Sequence, residues 1–493
     1  MVFLDKKHQG RKLKQCVILV NPPYPAGTFL HPPFPSLGLG YLAAVLEKNK
    51  YEVDIIDCQT VNFTHDEFKS EISKRQPTVV GITSNILTYK SALKIAKIAK
   101  EAHPNCLTVI GGPHVSFWDQ EALQECPQLD IVVRKEGEYT LLELVQRLEA
   151  GKDYHDVQGT TCRKNGKIMQ NPDRPFIENL DELPFPARHF WSVECLQKYG
   201  TPIFDVVSSR GCVQWCSFCI EVRTHGRRYR TRTPKNVVDE LEFLYNTYGA
   251  KYFAFIDDAF TVDNRRTMEI CEEIKKRKMK IKWACETRVD RVTKALLLKM
   301  KEAGCADIWF GIESGSQRIL NTMEKGISLE QTIKAFNWAK EAGIKPNPNV
   351  IIGVPGETKE TARETIKFVE KLIPDYMGCY TIATPYPGTP MYDNIQKNGL
   401  LRVTDFEKYD NATALFETPT LSIRELREIY DQVPQSFYFR PTYILRMFSK
   451  GGLYGFSASK TAFGYLIMAI RSKISRNKPP PDRSYSNAHM RVT

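Results

Sequence analysis

The sequence predicts an α/β protein: a doubly wound parallel sheet, then a partial (β/α)6 barrel, then a helical C-terminal segment. Three observations predict it. Short apolar, β-branched runs alternate with helical periodicity in two separate blocks. The chain has 493 residues, 42% hydrophobic and 26% charged, which is too long for one small domain and apolar enough to bury a large core. Between the blocks stands Leu183 Pro184 Phe185 Pro186, whose prolines end regular structure.

The first block covers residues 12–150. Cys16 to Val20 is closed by Asn21 Pro22 Pro23 and reads as a buried parallel strand entering a loop. Leu37 to Glu47 is helical, Val53 to Ile56 strand-like, Asp66 to Arg75 helical and Val79 to Thr83 strand-like. Helical Lys90 to Glu101, strand-like Thr108 to Ile110 and Ile131 to Val133, and helical Thr140 to Ala150 complete the alternation. Ligands bind such sheets beyond the carboxyl ends of the strands. Thr83 and Ser84 follow the third strand, Gly111 Gly112 Pro113 His114 the fourth, and Glu136 Gly137 Glu138 the fifth. Glycines there let backbone approach a ligand closely. No G-x-G-x-x-G follows the first strand, which disfavours a dinucleotide. Residues 151–199 read as a connection, with a hairpin of Gly159 to Arg163 and Lys167 to Gln170 around Asn165–Gly166.

The second block, residues 200–425, repeats six strand–helix units. The strands are Phe204 to Ser208, Tyr252 to Ile256, Lys282 to Glu286, Ile308 to Ile312, Pro348 to Ile352 and Gly378 to Ile382. The helices are Pro234 to Tyr248, Arg265 to Arg277, Lys294 to Ala303, Leu329 to Ala342 and Lys359 to Leu372. Catalytic residues of such barrels sit at the carboxyl ends of strands. Polar groups recur at that edge: Asp257 and Asp258, Glu286 and Arg288, Glu313 and Ser314, Gly353 to Glu357, and Pro385 to Thr389.

After the first of these strands comes Cys212 Val213 Gln214 Trp215 Cys216 Ser217 Phe218 Cys219, a C-x3-C-x2-C spacing. Three thiolates on one short loop can hold three irons of a [4Fe–4S] cluster and leave the fourth iron open, as a catalytic metal centre requires. A zinc knot would want a fourth Cys or His at close spacing, and His225 lies six residues past Cys219 in a basic loop. Three inert buried thiols would give the same spacing by chance.

The 13 cysteines do not suggest a secreted disulfide scaffold; Cys16, Cys106, Cys285 and Cys305 stand singly in apolar runs. A thiolate metal site needs a reducing compartment, so a cytoplasmic location is expected. Met1 to Gln15 is charged and polar, without a signal-peptide core, and no run of about 20 apolar residues could span a bilayer. The net charge of +12 allows nucleic acid, an anionic membrane surface or an acidic substrate as partner. In the segment 426–476, helical Ile423 to Phe437 leads into Arg440, Tyr443, Arg446, Phe448, Lys450, Tyr454, Phe456 and Lys460, and then apolar Ala462 to Ile470. This pattern fits an interfacial helix in peripheral contact with a membrane, and equally a helix that closes the barrel mouth. Residues 477–493, with Pro479 Pro480 Pro481, read as disordered.

The cysteine spacing, with Arg210–Gly211 and Phe218, resembles the radical SAM family, in which S-adenosylmethionine (SAM) chelates the open iron. The first block resembles the cobalamin-binding domain that precedes many radical SAM domains, through Pro35 Ser36 Leu37 Gly38 Leu39 Gly40 Tyr41 Leu42 Ala43, Gly111 to His114 and Glu136 to Glu138. Asp181 Glu182 Leu183 Pro184 Phe185 Pro186 is similar to a run of the same subgroup. From about residue 15 to 445 the chain looks most like the anaerobic magnesium-protoporphyrin monomethyl ester cyclase-like subgroup. It departs from the pattern twice. No D-x-H-x-x-G supplies a lower axial histidine, and Lys135 stands where the subgroup has glycine before Glu-Gly-Glu.

The resemblance implies a [4Fe–4S] cluster on Cys212, Cys216 and Cys219, and also SAM and cobalamin. It implies that Phe218, Asp257, Asp258, Arg288, Glu313, Ser314, Gly353 and Gly356 surround SAM. The two aspartates would take the ammonium, Arg288 the carboxylate as a bidentate partner, Glu313 and Ser314 the ribose and methionyl part, and the glycines the adenine. Thr83, Ser84, Gly111, Gly112 and Glu136 would line the cobalamin. The implied activity is that of an enzyme. An external one-electron donor of ferredoxin or flavodoxin type reduces the cluster, SAM yields a 5′-deoxyadenosyl radical, and an unactivated carbon is closed into a ring or methylated. The protein orients the cofactors and excludes water. The basic, aromatic C-terminal end favours a large apolar substrate, an isoprenoid or tetraether membrane lipid. A methylthiotransferase-like or other RNA-modifying radical SAM enzyme would suit the charge, but no RNA-binding module is evident and nucleic acid is not expected. A porphyrin-type cyclase would share the same motifs. A non-enzymatic cobalamin-type binding protein would share the first block alone, and the intact cysteine motif argues against it.

Overall fold

Five parallel strands carry the first unit: β1 (Cys16–Asn21), β2 (Glu52–Asp57), β3 (Val79–Thr83), β4 (Leu107–Gly111) and β5 (Ile131–Val133), in the order β2-β1-β3-β4-β5. In this computed structural model residues 16–25, 35–60, 63–192, 203–374, 379–438, 440, 441 and 443 are described. They form two units; the second comprises Glu178–Asp181 and the described residues from 203 onward. Val17 to Val20 are fully buried, as an apolar run covered on both faces must be. The helices are α1 (Leu37–Lys48), α2 (His65–Arg75), α3 (Tyr89–Ala102), α4 (Asp119–Glu125) and α5 (Glu138–Glu149). Each starts where its sequence can satisfy the first free N–H groups or pack an apolar face; Thr64 and Glu67 form a capping box for α2.

The hairpin expected in the connection belongs to the first sheet instead. Its strands, β6 (Thr160–Lys164) and β7 (Lys167–Gln170), continue that sheet as antiparallel edge strands, with β6 paired to β5 through Ile131 and Cys162. Buried Thr160, Thr161 and Cys162 explain this, since they need a neighbour on the sheet to satisfy their backbone.

The second unit contains a six-stranded parallel sheet with its strands in chain order: β8 (Ile203–Val206), β11 (Tyr252–Phe255), β12 (Lys282–Thr287), β13 (Cys305–Glu313), β14 (Lys345–Ile352) and β15 (Tyr380–Ile382). A small antiparallel ribbon, β9 (Ser209–Arg210) with β10 (Arg230–Thr231), sits beside it. The helices are α6 (Glu221–His225), α7 (Pro234–Tyr248), α8 (Asn264–Lys276), α9 (Lys294–Glu302), α10 (Gln317–Thr322), α11 (Leu329–Glu341), α12 (Lys359–Leu372), α13 (Pro390–Lys397) and α14 (Ile423–Tyr438). One sheet face, with Phe253, Phe255, Trp283, Cys285, Ile308 and Phe310, packs under the helices as the core. Each such buried side chain contributes about 1.5–3 kcal/mol. The opposite face carries Asp205, Ala254 and Ala284 in one register, and Glu286, Trp309 and Asn347 in another. That face is the polar concave side of a partial barrel.

Strand β14 begins three residues before the expected Pro348. Pro346 and Pro348 lie opposite Ile308 and Phe310 of β13, ahead of the point where β15 starts opposite Val350, so an N–H missing on the β15 side costs no ladder bond. Among the described residues no helix is long and apolar enough to cross a membrane. The basic, aromatic stretch beyond Tyr443 and the proline-rich tail lie outside the described residues.

Candidate active site

The cysteine loop is fixed before its first cysteine. Asp257, just past β11, is buried, and its carboxylate accepts Ser208 N–H at 2.8 Å, Ser208 Oγ–H at 3.0 Å, Ser209 Oγ–H at 2.8 Å, and Ser209 N–H. Arg266 donates to the Ser208 carbonyl at 2.7 Å and Arg232 to the Val207 carbonyl at 2.9 Å. Asp258 accepts Gly211 N–H at 3.0 Å. Gly211 itself has φ 88°, and a Cβ there would lie 2.4 Å from the Arg228 carbonyl, so only glycine fits. Further on, Cys212 N–H reaches the Gly226 carbonyl at 3.3 Å and Ser217 N–H the Met323 carbonyl at 3.0 Å.

Cys216 is buried, and Cys212 and Cys219 are half-buried. The described cysteines are all free thiols. Burial pushes the Cys219 thiol up to about 12, and burial also raises Cys216, against the opposing pull of Lys325 and Arg288. The cations beside Cys216 supply the charge that a bound thiolate needs. The side chains close enough to share one ion, within 4.8 Å, are Glu221, His225 and Asp258 among the described residues; the three thiols are not such a group. One zinc with Zn–S near 2.3 Å needs sulfurs within about 4.6 Å, whereas a cluster is gripped from farther apart. The loop therefore fits a cluster better than a zinc knot. Beside it, His225 Nδ1 is 3.5 Å from both Glu221 and Asp258. Burial pushes this imidazole down, but the Asp258 carboxylate outweighs it and holds His225 above its usual range.

The strand ends supply the rest. Arg288 Nε and Nη2 fork onto Asp290 at 2.9 and 3.3 Å, Nη2 also donates to the Lys325 carbonyl at 2.7 Å, and Nη1 points at Cys216 Sγ at 3.9 Å. Glu313 has a left-handed φ of 56° at a bulge in β13, and is paired with buried Lys325 at 2.6 Å. A non-glycine residue in that conformation is strained, a feature that clusters at functional sites. Gly311 leaves room for the pair: a Cβ there would be 2.6 Å from Glu313 Oε1 and 2.9 Å from Lys325 Nζ. Lys325 also lies 5.9 Å over the Phe218 ring. Ser314 bonds Thr365 at 3.0 Å. Gly353 (φ 82°) donates its N–H to Glu357, and Gly356 has φ 87°. Burial pushes Glu357 up to about 7. Glu286 faces the concave side. Desolvation by the surrounding walls raises its carboxyl, and Glu313, Glu221 and Asp205 add to the rise.

The structure thus brings Cys216, Phe218, Arg288 and Glu313 together through Lys325. Sequence reasoning missed Lys325, since Glu324 Lys325 Gly326 looks like an ordinary solvated turn. The structure also draws Asp257 and Asp258 to the cysteine loop; the Asp257 carboxylate is fully occupied in holding backbone and hydroxyls there.

In the first unit the carboxyl ends of β3, β4 and β5 meet. Ser84 N–H donates to the Gly111 carbonyl at 2.8 Å, and Thr83 pairs with Gly111. Gly112 has φ 123°, and a Cβ there would stand 2.3 Å from the Ser84 carbonyl. Ser116, also missed from sequence, donates to the Gly112 carbonyl at 2.8 Å and accepts Lys135 N–H at 2.8 Å. Lys135 adopts φ 60°, which is why glycine suits this position, and reaches Asp173 at 2.5 Å. Glu136 accepts Ile177 N–H at 2.7 Å. His114 is buried against Tyr89 (4.8 Å) and Trp118 (6.1 Å), and burial pushes it down to about 3, so it is a neutral packing residue. Small residues and glycines on these three adjacent strand ends, with no outward histidine among the described residues there, leave an edge against which a corrin would lie.

Comparison with known proteins finds a match for each unit. Residues 206–369 match the radical SAM superfamily and residues 30–145 the B12 binding domain. An uncharacterized methyltransferase of Pyrococcus horikoshii is 37% identical over 412 residues, 84% of this chain and 89% of the relative. The anaerobic magnesium-protoporphyrin IX monomethyl ester cyclase of Rubrivivax gelatinosus is 30% identical over 447 residues, 88% and 79% of the two chains. The radical SAM methyltransferase TsrM of Kitasatospora setae, with cobalamin and a [4Fe–4S] cluster bound, shares the fold with TM-score 0.70 at 19% identity, over 87% of this chain and 90% of that one. The chain belongs to the cobalamin-dependent radical SAM family, enzymes of methyltransferase or cyclase type that use a [4Fe–4S] cluster, SAM and cobalamin.

Proposed function

We propose that this enzyme methylates or ring-closes an unactivated carbon of a large apolar substrate of isoprenoid or membrane-lipid class. The observation that carries the chemistry is the pinned cysteine loop at the carboxyl edge of the parallel barrel. When bound, the cluster with SAM supplies a 5′-deoxyadenosyl radical, and cobalamin a methyl group or a one-electron partner. The chain's residues bind and orient these groups. Cys212, Cys216 and Cys219 hold three irons. Asp258 and Glu221, beside the loop, receive the SAM ammonium, while Asp257 fixes the backbone that presents the first cysteine. Gly356, whose surroundings are open, would offer backbone to the adenine, with Gly353 shaping the turn by its N–H bond to Glu357. Burial and neighbouring carboxylates raise both Glu286 and Glu221, so a cationic sulfonium beside them would relieve their crowding and favour their ionised form.

Support for an apolar substrate is the Rubrivivax relative, which acts on a porphyrin ester, and the basic, aromatic residues that continue the sequence after Tyr443. Apolar residues flanked by lysine and arginine suit a membrane surface. A cytoplasmic enzyme served by a ferredoxin- or flavodoxin-type donor completes the reading. Ring closure of a porphyrin-type substrate is the second reading, favoured by that same relative. The test is anaerobic reconstitution with SAM, cobalamin and reductant, together with lipid extracts from cells with and without the gene. We expect 5′-deoxyadenosine in the first and a missing methylated or cyclised lipid in the second. An unchanged lipid profile contradicts the substrate class.

A further inference from the structure

Two buried cations, each held by a carboxylate, lie beside the cysteine loop, one of them in contact with Cys216. Arg288 commits two nitrogens to Asp290 and one bond to the Lys325 carbonyl, which aims its remaining Nη1 at Cys216 Sγ, 3.9 Å away. Arg288 is 4% exposed and Lys325 6% exposed. Lys325 is held by Glu313 at 2.6 Å and lies over Phe218, which stands between Cys216 and Cys219. Glu313 takes a left-handed backbone here, and a Cβ at Gly311 would crowd the ends of both side chains of the pair. Several elements are therefore shaped to bring positive charge to one sulfur. A surface cation would need none of this.

We propose that Arg288 and Lys325 are positioning residues for electron transfer: through Cys216 they raise the reduction potential of the cluster. The physical reason is direct. Reduction adds one electron to the cluster and makes it more negative. A cation nearby stabilises the reduced form more than the oxidised form. The potential of an iron–sulfur cluster follows its net charge, the hydrogen bonds to its sulfurs and its exposure, and a long N–H···S contact from a guanidinium supplies two of these. Burial reduces solvent screening, so the effect is larger than for exposed charges. The counter-charges Asp290 and Glu313 are fully engaged with the cations and keep them tolerable in the interior. The consequence for the enzyme is that a moderate one-electron donor suffices to reduce the cluster.

This rests on the cluster sitting at the three cysteines, so the test separates the two. Wild-type protein, reconstituted anaerobically without SAM, is first assayed for iron and for the EPR signal of the dithionite-reduced cluster. Its midpoint potential is then measured by mediated dithionite titration, in which dithionite supplies the electron. R288M removes the charge and the donor, R288K keeps the charge but loses the fork, and the double variant E313Q/K325M removes the second cation without stranding its partner. We expect a tenfold weaker reduction equilibrium in R288M, about 59 mV more negative for one electron. R288K should lie between wild type and R288M, and E313Q/K325M should shift in the same direction. An unchanged potential in R288M with full iron content overturns the inference while leaving the cluster assignment intact. Loss of iron from all three variants also overturns it, since the cations would then only hold the loop. A wild-type chain that takes up no cluster would instead contradict the cluster reading itself.

Discussion

The two candidate sites are built by different means. In the first unit the ligand edge is almost all backbone and small side chains: Ser84, Gly111, Gly112 and Ser116 bond one another through N–H, carbonyl and hydroxyl groups. In the second unit the edge is held by charge, buried at Asp257, Arg266, Arg288, Glu313 and Lys325 and half-buried at Asp258. The first arrangement suits a large neutral ligand that needs room. The second suits a small, strongly charged group that must be reached by thiolates at fixed positions. Damage to the two should therefore have different signatures.

The largest effect is expected in the second unit. Replacing any one of Cys212, Cys216 or Cys219 by alanine should abolish 5′-deoxyadenosine formation, read by chromatography after incubation with SAM and reductant. Cobalamin absorbance should survive. Asp257→Ala should follow, because it leaves Ser208 and Ser209 donors and Arg266 without their buried anion. A loss of about 3–5 kcal/mol is expected by denaturant unfolding, with iron content falling in parallel; an unfolding midpoint equal to wild type would contradict the role of Asp257 in holding the loop.

A reciprocal pair sharpens the comparison further. Gly112→Ala and Gly211→Ala each force a Cβ against a carbonyl, at 2.3 and 2.4 Å, in a backbone that costs a non-glycine residue about 1–3 kcal/mol. G112A should lose cobalamin and keep iron, and G211A the reverse. If both variants lost both cofactors, the sites would not be separately built.

A pH effect is expected in the second unit. Glu357 titrates at about 7 in the folded chain, above its ordinary 4.5. The folded state then binds the proton more tightly than the unfolded one, so stability is full below about 4.5 and falls as pH rises through 7. The slope integrates to about 3 kcal/mol. Glu357→Gln should flatten it in thermal melts between those limits, and a slope retained in the variant would assign it to another group. The smallest effect is Lys135→Gly. Relief of a left-handed φ, worth about 1 kcal/mol, is offset by loss of the Asp173 pair, so stability should change by under about 1 kcal/mol.

Much of this was legible in the residues. Helices α7 and α12 begin and end as expected, because Thr233–Pro234 and Thr358 are strong starts and their apolar faces are regular. The short helices α6, α10 and α13 were not expected, since five to eight residues give no readable period. The early start of β14 was hidden by its prolines. The strand-end positions of Thr83, Gly111, Asp257, Glu313 and Gly353 followed from alternation alone. What each side chain touches did not. Arg288 reads as a free carboxylate binder until Asp290 and Lys325 come beside it, and Ser116 and Lys325 come from loops whose path only the folded chain reveals.

The most direct test is EPR of the anaerobically reconstituted, dithionite-reduced protein with and without SAM. The account predicts a [4Fe–4S] signal whose shape changes when SAM is added, because SAM occupies an iron that no residue holds. A signal indifferent to SAM, or a cluster that persists when one of the three cysteines is replaced, would contradict it.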